Sequence, residues 1–302
     1  MPRIPTLLAK LSRYLGSHQQ ALREFRWIME SAGSPLDAGR ALSADKLVKR
    51  TQGWPLQYLL GTQPFGSIEI LTRPPTFIPR PETEYLTLQL AQILRPHASN
   101  DVPLRMIDLC TGTGCIPLLL CDSLPPRTIS ALGIDVSPVA VDLAEKNISH
   151  CGFNGPDGNT VRVECLDMFA PDFVQSLKKL TKNWEPFDIL TSNPPYISRQ
   201  QYDTLSHSVR GFEDSLAFVG EAPSSADEFP NQVEYDKSGL SFYVRIMSLL
   251  QDHNLVRPGG HVVLEVGEGQ ARSVEKMLLT FASQTHVWTD LRGIERVIYA
   301  RM

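Results

Sequence analysis

The chain is short of cysteine, of long apolar runs and of positive charge. Its 302 residues hold five cysteines, Cys110, Cys115, Cys121, Cys151 and Cys165, an odd number with no repeated C-x-x-C pair. That pattern argues against a disulfide framework and a zinc site, and it suits a reducing compartment. No metal site is expected. No apolar stretch approaches the roughly 18 residues of a membrane-crossing helix, so no membrane span is expected. The formal net charge is -4. It argues against broad contact with a nucleic-acid backbone, so stable nucleic-acid binding is not expected, although a local basic patch stays open. What is present is apolar content, 42% of the residues, enough to bury one large core or two modest ones.

The start of the chain has two readings. Arg3, Lys10, Arg13, Arg23 and Arg26 face only Glu24 and Glu30, and Leu7, Leu8, Leu11, Tyr14 and Leu15 form a helical stripe. An arginine-rich, acid-poor amphipathic start suits a mitochondrial presequence. It equally suits the first helix of a folded unit. A second stripe, Leu22, Phe25, Ile28 and Met29, is followed by punctuation at Gly33 and Pro35. The spacing predicts another helix over 41–51, with Ser43 as its N-cap. Residues 1–54 therefore read as a small helical domain. Residues 55–80 read as a linker with a hairpin, its strands near Ile68–Ile70 and Thr76–Ile78. Pro81 then opens a helix, with Glu82, Thr83 and Glu84 in its first turn.

From residue 81 to 302 strand and helix patterns alternate, which predicts an α/β fold with an open parallel sheet. A strand, Met106 to Leu109, runs into Cys110-Thr111-Gly112-Thr113-Gly114. The glycines allow a tight turn and close approach of a ligand. The loop is not a dinucleotide fingerprint, because residue 117 is Pro. A second strand, Thr128 to Ile134, ends at Asp135, followed by Val136 and a helix opening at Ser137-Pro138. A carboxylate there suits a ribose diol, or else Asp135 or Ser137 simply caps the helix. A third strand, Val161 to Leu166, ends at Asp167-Met168-Phe169. These suit an adenine amine and its ring, or else a surface acid and core side chains. A fourth delivers Asn193-Pro194-Pro195-Tyr196, whose prolines pin the chain where the strand stops. Residues 220–238 read as a surface insertion, flexible in its centre. A helix over 239–250, a turn at Arg257–Gly260, a strand over 261–266, a helix over 272–281 and a last strand pair, 287–290 with 295–299, complete the pattern.

Asn193-Pro194-Pro195-Tyr196 resembles the signature of methyltransferases that act on planar nitrogens. These include adenine-N6 DNA methyltransferases and the glutamine-N5 methyltransferases of peptide-chain release factors. Pro55-Leu56-Gln57-Tyr58-Leu59-Leu60-Gly61, the segment Phe77 to Glu84, and Glu265 with Gln270 are similar to the release-factor group in particular. The loop Asp108 to Gly114 resembles the S-adenosyl-L-methionine loop of class I methyltransferases, with Cys110 where Gly is common. Asp214 stands where the family usually has Pro. The resemblance spans residues 53–302. It implies a class I methyltransferase fold, an open, mostly parallel seven-stranded sheet with a small N-terminal helical domain. It implies S-adenosyl-L-methionine as cofactor, bound by Asp108, Cys110, Thr111, Gly112, Gly114, Asp135, Val136, Asp167, Met168, Phe169 and Asn193. Asn193, Pro194 and Tyr196 would be catalytic. Phe77, Pro79, Arg80, Glu82, Thr83, Pro195, Tyr196 and Glu265 would form the substrate side. The implied partner is a class I release factor, methylated on the Gln of its Gly-Gly-Gln loop. The implied setting is a eukaryotic mitochondrial matrix, or the cytoplasm if residues 1–30 are folded and kept. An adenine-N6 methyltransferase and an inactive methyltransferase-fold binding subunit are the alternatives.

Overall fold

A computed structural model describes residues 4–31, 37–99, 101–155, 157–181, 186–223 and 232–302. It opens with helices α1 (Ile4–Leu15), α2 (His18–Ser31) and α3 (Asp37–Thr51). Their three- and four-residue apolar spacing brings Leu7, Leu11, Ala21, Ile28 and Leu47 into one small core. Arg50 closes it, pairing with the buried Glu24 at 2.7 Å. The apolar side of α1 is thus used in folding. Leu22 and Tyr14, expected on the inner stripes, are instead exposed. Ser43 is not an N-cap: α3 begins at Asp37, and Ser43 is buried in mid-helix. The predicted break at Gly33 and Pro35 lies outside the described residues.

A short helix, α4 (Leu56–Leu60), leads to the hairpin of β1 (Thr62–Phe65) and β2 (Ile68–Leu71). The second strand expected at Thr76–Ile78 does not form. Pro74, Pro75 and Pro79 crowd that segment with residues that donate nothing to a ladder. Its polar groups are satisfied elsewhere: Thr76 O accepts from Tyr58 Oη at 2.7 Å, and Ile78 N donates to Glu213 at 2.9 Å. Pro81 then starts α5 (Pro81–Leu94), as predicted.

The rest builds one sheet with helices on both faces. In chain order it runs β3 (Leu104–Leu109), α6 (Cys115–Ser123), β4 (Ile129–Asp135), α7 (Pro138–Cys151), β5 (Thr160–Cys165), α8 (Phe173–Leu180) and β6 (Phe187–Ser192). Then come α9 (Arg199–Thr204), α10 (His207–Arg210), α11 (Gln232–Ser238), α12 (Ser241–His253), β7 (Val256–Glu265), α13 (Ala271–Leu278), β8 (Gln284–Thr289) and β9 (Glu295–Arg301). Strand order is β5-β4-β3-β6-β7-β9-β8, with β9 antiparallel to both its neighbours and the other pairs parallel. This is the class I methyltransferase architecture. Alternation along the strands feeds two cores: Ile107, Leu132, Leu190 and Leu264 go to one face, Met106, Ala131, Ile189 and Val263 to the other.

Two further expectations change. The turn expected at Arg257–Gly260 is absorbed into β7, whose register on β6 shifts between Phe187 and Ile189. Gly259 holds φ +75° there, and its N–H reaches Met302 O at 2.7 Å. The tail of the predicted insertion is the helix α11. The insertion's centre, 224–231, lies outside the described residues. Among the described residues no helix is long and apolar enough to cross a membrane.

Candidate active site

The carboxyl ends of β3, β4, β5 and β6 open into a cavity of about 750 Å³. The chain reverses direction across the sheet at β3, whose neighbours are β4 and β6. This switch point is where an open α/β sheet leaves a crevice. The segment from Pro75 to Thr83, the segment from Asp214 to Pro223, and Phe242 of α12 wall the cavity.

After β3 the backbone turns through left-handed conformations at Cys110, Gly112 and Gly114, with φ of 60°, 56° and 77°. A non-glycine residue at Cys110 is therefore strained. A Cβ built on Gly112 meets nothing within 4 Å, so the loop leaves open space beside its backbone. Gly112 N donates to Asp135 Oδ2 at 2.8 Å, and Ser137 N donates to Asp135 Oδ1 at 2.9 Å. Asp135 thus ties the glycine loop to the end of β4. The cap of α7 is Ser137, whose Oγ accepts from Ala140 N. Burial raises the Asp135 pKa, against the backbone N–H groups that hold it down.

Below the loop, Asp108 is fully buried and accepts from Thr191 Oγ1 at 2.5 Å. Its other oxygen and the nearby Thr111 hydroxyl meet no hydrogen-bond geometry among the described residues. Burial pushes the Asp108 carboxyl up to about 7, against the pull of the Thr111 and Thr191 hydroxyls. After β5, Asp167 Oδ1 accepts from Phe169 N at 2.9 Å. Met168 and Phe169 are buried, and Phe169 stands edge-on to Phe242 at 5.0 Å.

The turn after β6 forms the opposite wall. Asn193 Nδ2 donates to Thr83 Oγ1 at 3.2 Å, and Thr83 Oγ1 donates to Glu265 Oε2 at 2.7 Å. Gln270 Nε2 donates to Tyr196 O and to Ser238 O, both at 2.7 Å, while its Oε1 accepts from Gly267 N at 2.9 Å. One side chain thereby locks the signature turn to the loops before α12 and α13. Burial, then the Glu265 charge, raises the Tyr196 phenol well above its ordinary range. Arg80 pairs with the buried Glu213 at 2.8 Å and lies 4.4 Å over the Phe77 ring.

Most of the predicted site residues converge. Phe77, Pro79, Arg80, Thr83, Cys110, Thr111, Gly112, Asp135, Val136, Asp167, Met168, Phe169, Asn193, Pro195 and Tyr196 line the cavity. Asp108, Gly114, Glu82, Pro194 and Glu265 do not line it. Asp108 and Glu265 lie buried behind lining residues, Pro194 is buried within the turn, and Glu82 sits half-buried in the first turn of α5. Sequence reasoning missed Phe218, Phe242 and the Arg80 partner Glu213. Glu213 directly precedes Asp214, where the family usually has Pro, but its pairing with Arg80 joins residues 133 apart. Phe218 and Phe242 carry no local signal beyond being apolar.

The cavity's charge fits a cationic ligand. Asp135, Asp167, Asp214 and Glu221 line it, against Arg80 and Arg199, each of which is paired with a glutamate. The open glycine loop, the carboxylates at successive strand ends and the apolar Met168–Phe169 wall match a charged sulfonium, a ribose and a purine. These residues therefore fit S-adenosyl-L-methionine.

No protein-family model matches the chain. It is 35% identical over 240 residues to the mitochondrial MRF1 N(5)-glutamine methyltransferase MTQ1 of Saccharomyces cerevisiae, covering 73% of this chain and 69% of that protein. It is 31% identical over 253 residues to the release factor glutamine methyltransferase of Thermodesulfovibrio yellowstonii, covering 83% and 77%. A solved METTL16 methyltransferase domain superimposes with a TM-score of 0.50 at 17% identity, over 85% of this chain and 80% of that one. That likeness concerns the fold alone, whereas the identity to the two enzymes runs over most of both chains. The chain belongs to the family of release factor glutamine methyltransferases.

Proposed function

We propose that the protein methylates the side-chain amide nitrogen of the glutamine in the Gly-Gly-Gln loop of a peptide-chain release factor, with S-adenosyl-L-methionine as methyl donor. The observation that carries this is the Asn193 amide, held by Thr83, on the same cavity as the Gly112–Asp135 cofactor end. When bound, S-adenosyl-L-methionine supplies a methyl group on a positively charged sulfur. The chain's own residues bind and orient. Asp135 receives the ribose, Asp167 the purine amine, and Met168 and Phe169 its ring.

An amide nitrogen is a poor nucleophile because its lone pair is delocalised. Asn193 Oδ1 and the Pro194 carbonyl accept its two hydrogens, which draws electron density onto nitrogen and fixes its direction. Tyr196 flanks the amide plane. Its raised pKa keeps the phenol protonated, so it serves as a wall and not as a base. A proton on the nitrogen leaves once the methyl is in place, so no strong base is needed beforehand. Phe77, Arg80 and Phe218 form the mouth on the substrate side. Residues 1–54 are the unit that holds the release factor, and residues 81–302 carry the chemistry.

Mass spectrometry of a release factor incubated with the protein and S-adenosyl-L-methionine tests this. The expected result is one added methyl on the Gly-Gly-Gln glutamine. Asn193→Ala should lower kcat roughly 10²–10³-fold while cofactor binding persists. Methylation of adenine in nucleic acid, with no release factor modified, refutes the assignment. We also place the protein in the mitochondrial matrix, supported by the mitochondrial yeast relative; the arginine-rich start lends nothing to this, since its apolar stripe is buried in a folded core. Imaging of the full chain tagged at its C-terminus checks that. A cytoplasmic signal refutes the location and leaves the chemistry intact.

A further inference from the structure

A side-chain amide has an acceptor on one side and donors on the other. Turned by half a rotation, Asn193 would present an NH2 group where the substrate's own NH2 group must bind. Two donors would then face each other, and the site would reject the amide it is built to hold. Nothing in Asn193 itself selects the productive face, so a neighbour must.

We propose that Thr83, itself held by Glu265, is the positioning residue that fixes which way the Asn193 amide faces. This deepens the glutamine-methyltransferase reading, and its kinetic arm rests on that reading. A threonine hydroxyl has one hydrogen. Thr83 gives it to Glu265 Oε2 at 2.7 Å, so only lone pairs remain for Asn193. Asn193 answers with Nδ2, at 3.2 Å. The reverse orientation would set the Asn193 oxygen against those lone pairs. The arrangement cannot relax into water, because Thr83 and Glu265 are each only 2% exposed. Both are also held from behind. Thr87 Oγ1 donates to Thr83 O at 2.7 Å, and Tyr243 Oη donates to Glu265 O at 2.8 Å. The chain of contacts runs from the end of β7 through the first turn of α5 to the turn after β6.

The test uses the full chain labelled with nitrogen-15 at asparagine, with the Asn193 side-chain signal identified by its loss in Asn193→Ala. In the wild type the Asn193 amide protons should exchange with water at least about 10-fold more slowly than those of exposed asparagines. Thr83→Ser should keep that protection, and Thr83→Val should abolish it. In parallel, Thr83→Val should lower kcat/KM on a release factor roughly 10–100-fold with cofactor affinity unchanged, and Thr83→Ser should recover it. Fast exchange at Asn193 in the wild type overturns the proposal, as does Thr83→Val with unchanged exchange and turnover. If Thr83→Val does not fold, the wild-type and Thr83→Ser exchange rates decide. If the wild type methylates no release factor, the exchange result still judges the positioning, and it is the functional reading that falls.

Discussion

Gly239→Ala should nearly silence the enzyme although residue 239 contributes no side chain to the site. Gly239 lies between α11 and α12 with φ +68°. A Cβ there would stand 2.7 Å from the Tyr196 carbonyl carbon, and it would overlap the Tyr196 carbonyl oxygen more severely still. Unstrained carbon pairs sit at about 3.5–4.0 Å, so the two backbones must part by roughly 1 Å. That displacement falls on the signature turn, and it loosens the Gln270 clamp, which holds Tyr196 O and Ser238 O together. A misplacement of about 1 Å at reacting groups costs roughly 100-fold in rate. The positive φ adds about 1–2 kcal/mol of strain in the folded state. Gly152→Ala is the control: its φ is +80°, and a Cβ there meets nothing within 4 Å. Both variants should lose stability, about 2–4 °C in Tm per kcal/mol, but only Gly239→Ala should lose kcat. Methyl transfer to a release factor under saturating cofactor, with melting curves beside it, reads both. A Gly239→Ala enzyme within twofold of wild-type kcat, or a Gly152→Ala enzyme equally slowed, would refute the reasoning.

Three further changes have opposite or smaller effects. Burial chiefly, with the Glu82 charge, raises Glu265 to about 7 from 4.5, against Thr83, Arg296 and Arg80. The folded chain then holds a proton that the unfolded chain has released, so stability falls as pH rises from about 4.5 to about 7. Glu265→Gln removes that slope. Relative to wild type it should gain on the order of 3 kcal/mol between about pH 5 and pH 8, and parallel denaturation profiles would contradict this. Cys110→Gly relieves a left-handed non-glycine residue and should raise stability by roughly 0.5–1 kcal/mol, net of the greater freedom of an unfolded glycine; a lowered Tm argues against strain there. Asp135→Ala removes the acceptor of Gly112 N and Ser137 N, and calorimetric titration should show S-adenosyl-L-methionine bound roughly 10–100-fold more weakly.

Much of this molecule is written locally. Buried parallel strands must be apolar along most of their length, which made β3, β4 and β6 legible as runs. Glycines and prolines act on their own residue's torsions, which made the loop at Gly112 and the turn at Asn193 legible too. Acids placed at successive strand ends, together with motifs similar to one enzyme family, were enough to indicate the chemistry. Where the reading failed, the deciding partner lay far along the chain. Thr76–Ile78 looked like a strand until Tyr58 and Glu213 took its polar groups. Ser43 looked like a cap because its residue type favours caps, but α3 begins six residues earlier, at Asp37. Phe242 became a wall of the site only when α12 packed beside the turn after β5 and brought it against Phe169.

The class of fold, the glycine loop, the acids at the strand ends and the Asn-Pro-Pro-Tyr turn can all be read along the chain, because each rests on torsions and polarity of neighbouring residues. Folding in three dimensions is what puts Thr83 and Glu265 behind Asn193, Glu213 on Arg80, and Gln270 between Tyr196 and Ser238. Those contacts link residues 110, 182, 133, 74 and 32 positions apart. At such separations a hydrogen bond depends on how the sheet and helices pack, and a linear sequence carries no local mark of it.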